Sequence, residues 1–222
     1  MSQRKTYCVL GLGIFGSTIA TKLSSFNHDV IAVDKDMTCV ERISDVVTEA
    51  IKADFTDIDQ LRAIGAGECD VAIVATGSHL EESIMAIMNL KELGVPYVLA
   101  KAKNKKYKLV LEKVGADRCI RPEKEMGERV AKQIVSTNIL ELIDLDEEYS
   151  ILEVVAPTSW VGHSLVELNL RARFGINIIG IRKGPKDHLS ISPGADYKIK
   201  LSDILVVIAD NELFKKFDEI TD

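Results

Sequence analysis

The sequence predicts a doubly wound α/β domain followed by a smaller α+β unit, and three observations carry that expectation. Short, nearly unbroken runs of Val, Ile and Ala alternate with longer amphipathic stretches over residues 1–138, the pattern of a parallel sheet covered on both faces. A glycine-rich turn, Gly11-Leu12-Gly13-Ile14-Phe15-Gly16, joins the first apolar run to the first amphipathic stretch. Charge divides the chain as well. Residues 1–140 carry 19 Lys and Arg against 19 Asp and Glu, while residues 141–222 carry 9 against 15, so the whole net charge of −6 belongs to the last third. With 222 residues, 46% hydrophobic and 28% charged, the chain is too apolar for disorder and long enough for one large domain or two small ones.

In chain order, strands are expected at Tyr7–Leu10, Val30–Asp34, a third before Ala53, then Val71–Thr76, Tyr97–Ala100 and Arg118–Arg121. Helical periodicity falls at Phe15–Ser25, Met37–Ser44, Asp57–Ile64, Glu81–Leu93 and Lys105–Val114, with Gly94 and Gly115 placed to close two of these helices. Pro122 stops the sixth strand. Glu123–Asn138 then reads as a helix with Met126, Val130, Ile134 and Val135 on one stripe, which covers either its own sheet or another subunit. That helix closes a domain spanning residues 1–138. In residues 139–222 an acidic run, Glu141–Tyr149, precedes strands at Ile151–Ala156, Ile176–Ile181, Leu189–Ile191, Tyr197–Lys200 and Leu205–Ala209, and a closing helix near Glu212–Ile220. The part after the acidic run, about 75 residues, is small for an independent fold and is expected to lean on a partner subunit.

Composition excludes several function classes. The longest apolar stretches fall short of the ~18 residues a membrane span needs. Arg4-Lys5 and the uncharged run Thr6–Thr21 imitate a secretory signal, but the glycine spacing explains the run and no clean small-residue cleavage site precedes Lys22. Cys8, Cys39, Cys69 and Cys119 lie far apart with no C-x-x-C, which reads as reduced, buried thiols and a cytosolic location. Neither unit has the clustered cations that nucleic-acid binding requires. Catalytic groups are scarce too. His163 and His188 sit in turn-like segments, Ser83, Ser136 and Ser164 lack a nucleophile-elbow context, and no metal-ligand spacing appears. Binding without turnover is therefore expected, with a small NAD-dependent oxidoreductase or a free-standing NAD sensor as the competing class.

The glycine turn supplies a binding chemistry. Gly11 permits the tight turn, Gly13 lets backbone amides approach a pyrophosphate, and Gly16 allows close helix-to-strand packing. The following helix start, from Ile14 and Phe15, offers unpaired amides and a partial positive charge to phosphates. Asp34, 18 residues beyond Gly16 at the end of the second strand, stands where a carboxylate accepts the hydroxyls of an adenosine ribose and repels a 2′-phosphate. Lys35 beside it weakens that exclusion. Asp54 after the third strand, Thr76 and Gly77 after the fourth, and Lys101 at the end of the fifth would line the same crevice. Each has a plainer alternative: a helix cap for Asp34 and Asp54, a solvated side chain for Lys101.

Taken together, Gly11–Gly16, Val33-Asp34, Val114-Gly-Ala-Asp117, Pro122-Glu-Lys-Glu-Met-Gly127 and Gly162-His-Ser-Leu-Val-Glu-Leu-Asn-Leu-Arg171 through Gly175 resemble the RCK/KTN family, the KtrA- and TrkA-type regulatory subunits of potassium uptake systems. The likeness runs over essentially the whole chain. It implies a Rossmann-like N-terminal domain binding ATP, ADP or NAD, a crossover helix near Lys124–Asn138 that pairs subunits, and a C-terminal RCK_C (TrkA_C) domain over 139–222 that dimerises separately. It further implies homodimers assembled into a ring, commonly an octamer, in the cytoplasm beneath a membrane-embedded potassium-translocating subunit of the KtrB or TrkH type. Many members carry an arginine, reaching the partner's γ-phosphate, where this chain has Ile14, which implies weaker discrimination of ATP from ADP. Glu123 matches a glutamate that helps hold an activating divalent or monovalent cation, its plainer role being a carboxylate facing a helix dipole. Val166, Asn169, Arg171, Ile176, Asn177 and Pro193 match positions that bind cyclic di-AMP at the C-terminal dimer interface, with Arg171 bridging a phosphate, Asn177 an adenine edge and the aliphatics sandwiching the base.

Overall fold

A computed structural model describes residues 4–77, 79–135, 139–146, 148–184 and 187–211. The chain divides into two compact units, residues 1–124 and 125–222. The division falls near the start of the helix Pro122–Val135 (α6), whereas the sequence reading places the whole helix with the first unit. Arg129 on this helix pairs with Glu141 of the strand that follows it.

In the first unit six strands, β1 (Thr6–Leu10), β2 (Asp29–Asp34), β3 (Glu49–Lys52), β4 (Val71–Val74), β5 (Tyr97–Lys101) and β6 (Arg118–Ile120), form a parallel sheet in the order β3-β2-β1-β4-β5-β6. The expected doubly wound sheet is present. Side chains alternate along β1, so Cys8 and Leu10 enter one core and Val9 the other. Helices α1 (Ile14–Ser25) and α2 (Met37–Glu41) cover the Val9 face through Ala20 and Val40. Helices α3 (Ile58–Ala63), α4 (Leu80–Glu92) and α5 (Lys105–Lys113) cover the opposite face through Leu61, Ile87, Leu90 and Leu111. The chain reverses its progression across the sheet between β1 and β4, and that switch point opens a crevice beyond their carboxyl ends.

Local chemistry explains the helix starts. Asp36 caps α2 through the Thr38 amide, Asp57 caps α3 through the Asp59 and Gln60 amides, and Asn104 caps α5 through Tyr107. The two carboxylates offered as alternative caps, Asp34 and Asp54, are not the caps of these helices. Gly94 and Gly115, with φ of 86° and 116°, follow α4 and α5 in the left-handed conformation that glycine tolerates. Two segments end earlier than expected. The helix from Met37 stops at Glu41 and continues as turns, and the fourth strand stops at Val74, leaving Ala75–Gly77 as a loop at the crevice.

The second unit holds β7 (Ile139–Asp144), β8 (Tyr149–Val155), β9 (Asn177–Arg182), β10 (Ser190–Ile191) and β11 (Ile204–Asp210) in a sheet ordered β10-β9-β11-β8-β7, antiparallel throughout. Leu152, Val154, Trp160, Leu168, Leu170, Leu205 and Val207 belong to its core. Three expectations are corrected here. The acidic run begins inside the strand β7, which turns Ile139 and Leu142 inward, leaves Asp144 exposed and holds Glu141 half-buried in its pair with Arg129. Tyr197–Lys200 is not a strand of the sheet; it bridges Ser164 through Lys198 and exchanges backbone hydrogen bonds with the segment Gly162–Leu165. Between the strands lie two helices that the sequence reading does not contain, α7 (Leu165–Leu168) and α8 (Leu170–Phe174). The Ser164-Leu-Val-Glu167 capping box starts the first, Ser164 accepting from the Glu167 amide and Glu167 from the Ser164 amide. The closing helix expected at Glu212–Ile220, and Ser136, lie outside the described residues.

Candidate functional site

The crevice is built from the glycine turn and the loops after β2, β3, β4 and β5. Gly11 is left-handed (φ 92°) and donates its amide to Val33, so the turn folds back toward β2. A Cβ on Gly11 would stand 3.2 Å from the Thr76 amide nitrogen, and one on Gly16 would stand 1.9 Å from the Gly11 carbonyl oxygen. Both positions therefore demand glycine for packing within the chain. Gly13 is different. It is extended, begins α1 without a side-chain cap, and no described atom lies within 4 Å of an added Cβ. The first amides of α1 thus face open space with a backbone that only glycine lets a ligand approach. Ile14 points away, 88% exposed, and Phe15 is half-buried.

Asp34 orders this turn. One carboxylate oxygen accepts from the Leu12 amide at 2.6 Å and the other from the Asp36 amide at 2.9 Å. The carboxylate is half-buried at the end of β2, bonded to the glycine loop itself, which places it beside the phosphate-binding amides as a ribose acceptor must be. Lys35 reaches Asp54 at 3.3 Å and Glu82 at 3.2 Å. Burial works against charge on Asp54, but the Thr56 hydroxyl and amide, with Lys35, hold its carboxyl below the usual carboxylate range. Burial likewise opposes the charge on Lys35, and its bonds to Glu82 and Asp54 outweigh that and raise its pKa.

Across the crevice the Lys101 stem lies against Gly77, where an added Cβ would come within 3.2 Å of it. Its ammonium pairs with Glu123 at 2.5 Å and lies 5.6 Å from the centre of the Phe15 ring. Lys101 is thus neither freely solvated nor unpaired. The Lys101 ammonium, and the amide of Glu123 itself at the start of α6, hold the Glu123 carboxyl below its ordinary value. Among the described residues no group of three or more His, Cys, Asp or Glu could hold a metal ion.

The remaining candidates sort by exposure. His163 and His188 are exposed, Ser83 is buried and donates to the Thr76 and His79 carbonyls, and Ser164 is the helix cap described above. The four cysteines are free. Cys8, Cys69 and Cys119 are buried, and Cys39 is only half-buried. Met126, Val130 and Ile134 of α6 are exposed, the last by 78%, and the side chain of Val135, the fourth residue of the stripe, lies outside the described residues. In the second unit Val166, Asn169, Arg171 and Asn177 are exposed and Pro193 is half-buried. Ile176 is 1% exposed and belongs to the core of this unit. Asn169 has its own structural reason, a left-handed conformation (φ 45°) between α7 and α8.

Sequence reasoning missed Glu82, a member of the Lys35 cluster, because it looks like an ordinary acid in the first turn of a helix. Glu167 was missed as well, although the S-x-x-E spacing signals it.

Comparison with known proteins adds to this geometry. The TrkA-N domain family matches residues 7–122 and the TrkA-C domain family residues 150–222. The Ktr system potassium uptake protein C of Bacillus subtilis (strain 168) is 38% identical, over 98% of this chain and 97% of that protein. The Ktr system potassium uptake protein A of the same organism is 35% identical over 97% and 96%. Among solved structures, the crystal structure of the GsuK RCK domain matches with a TM-score of 0.68 at 17% identity, covering 99% of this chain and 48% of that one. The GsuK channel bound to NAD matches with a TM-score of 0.67 at 17% identity, covering all of this chain and 40% of that one. At such identity these two structures show the shared fold.

Proposed function

The chain belongs to the TrkA family, with TrkA-N and TrkA-C domains in order, and on that premise we propose that it is a non-catalytic regulatory subunit of a potassium uptake system, governed by an adenine nucleotide. The observation that carries the nucleotide is Gly13: a glycine that nothing in the fold requires, at the open amino end of α1, beside a carboxylate bonded to the same loop. An ADP moiety fits this arrangement, its pyrophosphate on the α1 amides and its ribose on Asp34. ATP, ADP and NAD all contain it. Thr76 and Gly77 would border the phosphates from the β4 side. Lys101 would bring a cation near them, drawing Glu123 to the same edge, where a bound cation would compete with the ammonium for the carboxylate.

The full-length relatives are named as potassium uptake proteins, which supports a cytoplasmic subunit working on a membrane-embedded potassium-translocating partner. The exposed Met126, Val130 and Ile134 stripe supports pairing of subunits through α6, the first step toward a ring. Nucleotide would regulate transport only through different affinities for two shapes of that assembly. In the second unit, Arg171, Asn177 and Val166 are all exposed, the last by 61%, and offer a phosphate partner, an amide and an apolar surface, the chemistry of a cyclic di-AMP site at a subunit interface.

Calorimetry of the purified protein against ATP, ADP, NAD, NADH and cyclic di-AMP, with its mass in solution, tests the proposal. Saturable binding of an ADP-containing ligand by an oligomer supports it. Turnover of NADH with a carbonyl substrate, or no nucleotide binding at all, would overturn it.

A further inference from the structure

We propose that Lys35 is a specificity-determining residue at the ribose edge of the site: clamped between Asp54 and Glu82, it is withheld from a 2′-phosphate, and the site selects adenine nucleotides whose 2′-hydroxyl is free. The inference rests on the nucleotide reading above and deepens it.

Lys35 directly follows Asp34 at the carboxyl end of β2, the place from which a cation in a dinucleotide fold accommodates a 2′-phosphate. Read from sequence alone, it softens the exclusion that Asp34 exerts. The structure reverses that reading. The Lys35 ammonium lies 3.3 Å from Asp54 and 3.2 Å from Glu82, and 5.5 Å from the centre of the buried Phe55 ring. Both carboxylates are themselves placed by the fold. Asp54 accepts from the Thr56 hydroxyl at 2.6 Å and the Thr56 amide at 2.8 Å. The Thr56 carbonyl in turn accepts from Asn89 of α4 at 2.9 Å, which ties the loop after β3 to the helix that carries Glu82.

The ribose edge therefore presents three carboxylates, Asp34, Asp54 and Glu82, against one ammonium that two of them already share. A 2′-phosphate would have to take Lys35 from both partners and leave them facing a dianion. A 2′-hydroxyl is neutral and incurs neither cost, and it can donate to Asp34.

The test measures, by calorimetry on the full chain, the ratio of affinities for ADP and for 2′-phosphoadenosine 5′-diphosphate. The wild type should favour ADP by at least about tenfold. The Asp54→Asn/Glu82→Gln variant should narrow that ratio by about tenfold, since Lys35 is then free to meet the phosphate, and adding Lys35→Met should restore it. Glu82→Gln alone should narrow it partway. Each variant's own ADP binding reports that it is folded, and the ratio is read within the variant. Three results would overturn the inference while leaving the nucleotide reading intact: a wild-type ratio near one, an unchanged ratio in the double variant, or a Lys35→Met change that alone widens the ratio tenfold. Failure of the wild type to bind ADP would overturn the nucleotide reading and this inference with it.

Discussion

Replacing Gly13 by aspartate separates what the fold needs from what the ligand needs. Gly13 has φ −62° and ψ −176°, ordinary for any residue, and an added Cβ meets nothing within 4 Å. Aspartate is a preferred first cap of a helix, and α1 starts without one. The fold should gain from the change, by only about a few tenths of a kcal/mol from the cap, since glycine is itself an accepted cap, and by roughly 0.4–1 kcal/mol from a less flexible unfolded chain. The same carboxylate would occupy the α1 amides that a pyrophosphate needs and set a negative charge beside it. Two unit charges ~4 Å apart at an effective dielectric of ~20 interact by about 4 kcal/mol, roughly three orders of magnitude in Kd. Gly13 is exposed, so screening reduces this, and a loss of about a hundredfold or more in ADP affinity is expected. Titration calorimetry with ADP and thermal denaturation of the same sample read both effects. An ADP affinity within about threefold of wild type, with the melting temperature intact, would refute the phosphate site. A markedly lower melting temperature would refute the claim that the fold makes no demand at Gly13.

Gly16→Ala should behave oppositely, because its Cβ would stand 1.9 Å from the Gly11 carbonyl oxygen and 3.0 Å from the Ala75 side chain. A loss of about 2 kcal/mol or more in denaturant unfolding is expected, and an unchanged midpoint would contradict the packing described. Asp117 accepts from Lys91 and the Val98 amide, each at 2.6 Å. Burial opposes its charge, but these partners hold its carboxyl below the ordinary value. Its contribution is therefore present above the unfolded pKa near ~4 and is lost as pH falls through the lower folded value. Asp117→Asn should cost about 1 kcal/mol at neutral pH, a difference that closes in acid, and a pH-independent cost would refute the linkage. Val130→Asp should lower the mass in solution by light scattering while leaving the helical circular dichroism unchanged, and an unaltered mass would remove the pairing role of α6. Arg171→Ala should abolish cyclic di-AMP binding and preserve ADP binding in calorimetry, and loss of both would indicate misfolding instead.

The first unit was readable because its signals are local and reinforce one another. The β1 and β2 runs, the glycine turn and Asp34 lie within a few tens of residues, and each reports the same parallel arrangement. The second unit was less readable. In β7 the inward residues, Ile139 and Leu142, are offset by a bulge between Ile139 and Glu141, and the acids between them mask the alternation. Helices α7 and α8 are four and five residues long, too short for a helical period to emerge, although the capping box at Ser164 marks where the first begins. At the site, Asp34 and the glycines were legible as a motif. The Lys35 cluster was not, because Asp54 and Glu82 reach it from separate loops and only the folded sheet brings them together.

The central claim is that an ADP moiety rests on the first amides of α1 with its ribose on Asp34. Amide chemical shifts of the 15N-labelled protein, followed as ADP is added, test it most directly. The account predicts the largest changes at Leu12, Gly13, Ile14 and Phe15, saturating together and absent in Gly13→Asp. Saturation with these four amides unmoved, and the changes clustered elsewhere, would contradict it.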